Sequence, residues 1–107
     1  LLLGRAGDME RAERYFREAL SRRADYGEAA NNLALVLVSR GQADAAVSLL
    51  DEFLKQTPAY ESAYVTLAKI HYSVGRQKEA VAVLERLVQL NPKNAVALEL
   101  LSQWKKY

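Results

Sequence analysis

Residues 26–59 read YGEAANNLALVLVSRGQADAAVSLLDEFLKQTPA, and residues 60–93 read YESAYVTLAKIHYSVGRQKEAVAVLERLVQLNPK. Laid over one another at a spacing of 34, they share Leu33/Leu67, Ala34/Ala68, Gly41/Gly75, Ala46/Ala80, Leu50/Leu84 and Pro58/Pro92 without a gap. One period earlier, Gly7, Ala12 and Phe16 fall in the glycine, alanine and leucine columns. One period later, Leu98, Leu101 and Ser102 continue the columns of Ala30/Tyr64, Leu33/Leu67 and Ala34/Ala68. An uninterrupted period of this length marks a stack of like units, each too small to bury its apolar face alone.

Within residues 26–59, Ala30, Leu33, Ala34 and Leu37 recur at helical spacings of three and four, which predicts a first helix over about residues 26–40. Asp25 stands where an N-cap is wanted, and Glu28, three residues on, is placed to complete a capping box. Gly41 can take the left-handed conformation that ends a helix. A second helix is expected over about residues 42–56, with Ala46, Leu50 and Phe53 on one face. Thr57-Pro58 stops it, because a residue before proline is pushed out of helical geometry. The same plan predicts helices over about residues 60–74 and 77–90, closed by Gly75 and by Asn91-Pro92. The chain then divides into a partial unit (1–25), two complete units (26–59 and 60–93) and a terminal helix (94–107). No strand pattern occurs.

Composition sets wide bounds. The 107 residues are half apolar and carry 15 basic and 13 acidic side chains, a net charge of +2 that does not argue for nucleic acid. With no cysteine, disulfides and thiolate metal sites are excluded while the compartment stays open. The longest apolar run, Leu33–Val38, is six residues, far short of the roughly 18 a membrane helix needs. Leu1-Leu2-Leu3-Gly4-Arg5 lacks the pattern of a signal peptide and reads as part of a helix. Ample alanine, leucine and arginine is compatible with a bacterial source.

Leu33-Ala34 and Leu67-Ala68, followed by Gly41…Ala46…Leu50 and Gly75…Ala80…Leu84 and closed by Pro58 and Pro92, resemble the tetratricopeptide repeat over the whole chain. The chain departs from the family pattern at Ala30, where a bulky aromatic is usual, and at Leu37 and His71, where tyrosine is common. The RNA-binding pentatricopeptide repeat, with its 35-residue period, fits less well. The resemblance implies an all-α fold, a right-handed superhelical α-solenoid of antiparallel helix pairs. It also implies protein–protein binding, with a partner's peptide or helix held in the concave groove that the first helices line.

First-helix residues pointing away from their own second helix are the groove candidates. In the first complete unit these are Asn31, Asn32, Leu35, Val38 and Ser39. Their counterparts are Val65, Thr66, Lys69, Tyr72 and Ser73, with Glu99 and Gln103 from the last helix. The asparagine amides can bond to a partner's backbone, and Tyr72 offers an apolar face with a polar tip. Leu35, Val38 and Val65 have an alternative reading as packing between units. Family members that bind chaperones resemble one another in a clamp of lysines, asparagines and an arginine around a C-terminal carboxylate. Asn32 fits one clamp position, but Ser62 and Thr66 stand where the clamp needs basic residues. The groove is therefore expected to prefer a less acidic, partly apolar ligand.

No catalytic constellation, metal site or cofactor is expected. His71 is the only histidine and sits in a packing column. Glu10–Arg14 and Glu13–Arg17 are spaced for helical ion pairs, each worth ~0.2–0.5 kcal/mol. Arg22 and Arg23 form a local basic spot, and Trp104 is expected to cover the open end of the array. Two other readings stay open. One is homo-oligomerisation through exposed repeat edges, with Leu1-Leu2-Leu3 as apolar surface. The other is a regulatory repeat segment attached to an enzyme domain outside these residues.

Overall fold

The computed structural model describes residues 6–105. The expected apolar edge at Leu1-Leu2-Leu3 lies outside them. Among the described residues there are six helices and no strand: α1 (Ala6–Arg22), α2 (Gly27–Ser39), α3 (Ala43–Gln56), α4 (Glu61–Ser73), α5 (Gln77–Leu90) and α6 (Ala95–Trp104). None is long and apolar enough to cross a membrane. Each helix packs on its neighbours in sequence, and α2 also meets α4, giving an all-α solenoid of antiparallel pairs.

The elbows follow from backbone chemistry. Gly41 and Gly75 have φ of 77° and 83°, the left-handed region that a Cβ makes costly. That conformation turns two amides back onto the preceding helix. Gln42 N–H donates to Leu37 O (2.8 Å) and Gly41 N–H to Val38 O (3.0 Å), with Arg76→His71 and Gly75→Tyr72 repeating the pair one period on. This pair of hydrogen bonds satisfies carbonyls that a helix end would leave orphaned. The expected capping box does not form. The α2 cap is Tyr26, without a side-chain hydrogen bond, so Asp25 lies one residue too early and instead accepts from Arg23 Nε at 3.1 Å. Asn94 does cap its helix, its Oδ1 accepting from Ala97 N–H at 2.9 Å.

The core is one continuous cluster along the stack. Ala30, Leu33, Ala34, Leu37, Ala46 and Leu50 are buried, as are their counterparts Tyr64, Leu67, Ala68, Ala80 and Leu84. Small residues at Ala34, Ala46, Ala68 and Ala80 let helix backbones approach closely while the leucines fill the space beyond. His71 is buried in this layer. Polar ties join successive pairs at the surface: Arg40 reaches back to Glu13 (2.7 Å) and Glu10 (3.8 Å), and Arg76 to Asp44 (2.6 Å). Glu13 also pairs with Arg17 at 2.9 Å, as the spacing predicts, whereas Glu10 turns to Arg40 rather than Arg14.

Candidate protein-binding face

Helices α2, α4 and α6, the first helices of successive pairs, stand side by side. A hydrogen bond joins the first two, Asn31 Nδ2 donating to Ser62 Oγ at 2.8 Å. Glu61, at the start of α4, accepts from Asn91 Nδ2 at 2.9 Å and from Asn94 Nδ2 at 2.7 Å, which ties α4 to the loop before α6. These amides, Asn91 foremost, hold the Glu61 carboxyl below the usual carboxylate range. Further down, the Tyr72 ring stacks on Trp104 with centroids 4.3 Å apart and planes 7° from parallel. Gln77 Nε2 secures the far end of α6 by donating to Trp104 O at 2.8 Å.

The candidate residues divide by exposure. Leu35 (48% exposed) and Tyr72 (42%) present large apolar surface, and Ser39, Lys69, Ser73, Glu99 and Gln103 are exposed with them. Asn31, Asn32, Val38, Val65 and Thr66 are half-buried. Val38 and Val65 pack against the core, so of the three apolar candidates only Leu35 stands free of it. Asn31 spends its amide nitrogen on Ser62 and keeps its Oδ1 buried and unpartnered, which leaves Asn32 the more accessible amide. Ser73 is likewise engaged, its Oγ donating to Ile70 O at 2.8 Å.

Two contributors, Ser62 and Trp104, stand outside the set of face residues expected from the sequence. Ser62 braces Asn31, and the signal was its place in the column of Glu28 and Val96, all three exposed on first helices. Trp104 braces Tyr72. It shares a column with Val36 and Ile70, both buried, and so turns inward toward the preceding pair. It does not lie over the open flank of α6, where Leu98 is 46% exposed.

This architecture defines a helical-repeat protein with a side-chain-rich face on its first helices. A sequence profile of the tetratricopeptide repeat matches residues 5–59 and again 37–103, and the chain belongs to that family. No curated protein sequence matches it. Among solved structures, the first repeat domain of Spaghetti (RPAP3) bound to the HSP90 peptide SRMEEVD is similar, at 18% identity and a TM-score of 0.76, covering 94% of this chain and 79% of that one. The second repeat domain of human RPAP3, in complex with the HSP70 peptide SGPTIEEVD, gives 21% identity and a TM-score of 0.75, covering 94% and 84%. At these identities the likeness is one of fold.

Proposed function

We propose that the chain is a protein-interaction scaffold that receives a partner's peptide or helix on the face of α2, α4 and α6, with residues 26–59 and 60–93 as its two complete units. The observation that carries this reading is the exposure of Leu35 and Tyr72, two large apolar side chains, on a face otherwise set with accessible hydrogen-bonding groups. Both solved neighbours hold a peptide, which supports a peptide-sized ligand here. The clamp geometry does not carry over, because Ser62 and Thr66 offer no cation. The ligand is accordingly less acidic and partly apolar.

The test is affinity capture from source extract with the wild type beside a Leu35→Glu/Lys69→Glu variant, after circular dichroism has shown the variant folded. A protein retained by the wild type and lost by the variant places binding on this face. Equal retention by both would move it to the outer helices or the edges.

A second reading, self-association through a repeat edge, is favoured by the exposed Val96 and Leu98 on α6. Light scattering that reports a monomer at high concentration would remove it.

A further inference from the structure

Taking the α2–α4–α6 face as the binding surface, we infer that its lower half is a subsite for an extended peptide bearing one carboxylate and, three residues away, an apolar side chain. Lys69 and Tyr72 lie three residues apart on α4, on the same side of that helix. Among the described residues Lys69 takes part in no ion pair, although nine others form elsewhere. The Tyr72 hydroxyl takes part in no hydrogen bond among them either. An ammonium and a phenol are both donors, and a carboxylate is the group that accepts from the two together.

The Tyr72 donor is held in place. Stacking on Trp104, itself only 8% exposed, restrains the ring, so little side-chain entropy is lost when a ligand docks. Lys69 does not hold up the fold, because Leu35 and Gln103 occupy its column on the neighbouring first helices and all three are exposed. The charge also has a direction. The acidic members of this face, Glu28 and Glu99, sit about one to three turns nearer the helix starts than Lys69 and Tyr72 do in their columns. The lower rows, with Leu35, Val38, Ser39, Tyr72, Ser73 and Gln103, carry no carboxylate.

Leu35, with the half-buried Val38 three residues on, supplies the apolar half of the subsite on the adjacent helix. Packed helices lie about 8–10 Å apart. A chain in polyproline II geometry rises ~3.1 Å per residue with three residues per turn, so side chains three apart share one side about 9 Å from each other. One such peptide crossing from α4 to α2 sets a carboxylate on Lys69 and Tyr72 and an apolar side chain on Leu35.

The test uses two fluorescein-labelled peptides in a glycine/serine background, one with a glutamate three residues from a leucine and the other with lysine replacing the glutamate. Fluorescence anisotropy is expected to show the glutamate peptide binding the wild type at least tenfold tighter, with the preference reversed by Lys69→Glu. Tyr72→Phe keeps the stack on Trp104 and should weaken the glutamate peptide alone. Equal binding of both peptides, with amide NMR shifts on α2 and α4, would overturn the carboxylate subsite and leave the binding face standing. Shifts confined to α1, α3 or α5 would overturn both, and no binding of either peptide would overturn the subsite alone.

Discussion

The ring of Tyr60 fills the space that a Cβ on Gly27 would need: a methyl built there meets Tyr60 ring atoms at 2.4–2.7 Å. Tyr60 also meets Phe53 in a T-shaped pair, with ring centroids 5.7 Å apart, so it cannot swing aside freely. The pair α2–α3 is thereby keyed to the pair that follows by a bulky residue over an empty position. Gly27→Ala gains up to ~1 kcal/mol of helix propensity but overpacks this contact, at a cost of roughly 1–3 kcal/mol. The expected outcome is a net loss in chemical denaturation, one that shrinks when Tyr60→Ala is made in the same chain. A Gly27→Ala protein more stable than its parent would show that the ring yields.

Ala46 is fully buried where α3 closes on α2. Replacing it with leucine adds three carbons to a packed contact and should cost on the order of 1–3 kcal/mol, read as a lower denaturant midpoint. A midpoint equal to the parent's would sink the assignment of this contact.

The Glu13 carboxyl accepts from Arg17 and from Arg40, and these bonds, Arg17 foremost, hold it below the ordinary carboxylate range against the opposing pull of partial burial. A folded value below the unfolded one means stability fully present above the unfolded value and lost as pH falls through the folded one. Glu13→Gln should therefore melt below the parent at neutral pH, with the difference closing in acid. Thermal melts across the acid range test this, and a pH-independent difference would assign the effect to packing.

Asn94 both caps α6 and donates to Glu61. Asn94→Ala should lower stability by about 1 kcal/mol through the lost cap. Asn94→Asp keeps an acceptor for Ala97 N–H but sets a second carboxylate against Glu61, so its loss should be largest at neutral pH and partly recovered on acidification. Denaturation of both variants at two pH values separates cap from charge.

What could be read from the sequence followed the strength of the local constraint. Gly41 and Gly75 announce the elbows because few other residues take a positive φ, and the first-helix face follows from helical spacing. The Asp25–Glu28 box failed because a cap depends on register, and α2 starts one residue later than that motif requires. Neither Tyr60 over Gly27 nor Tyr72 on Trp104 could be read from spacing alone. Both join residues about one period apart, and only the packing angle between helix pairs decides which rings meet. For the same reason the period could nominate Leu35, Val38 and Val65 alike, while only the packed chain separates the free leucine from the two seated valines.

Because helices touch only those next to them or one pair away in the chain, no distant segments must find each other before structure is gained. Such low contact order favours fast folding, started by any helix pair and extended outward like a zipper. The outer helices can then fray while the middle holds, so amide exchange should be slowest around Leu37, Leu50 and Leu67 and quicken toward both ends.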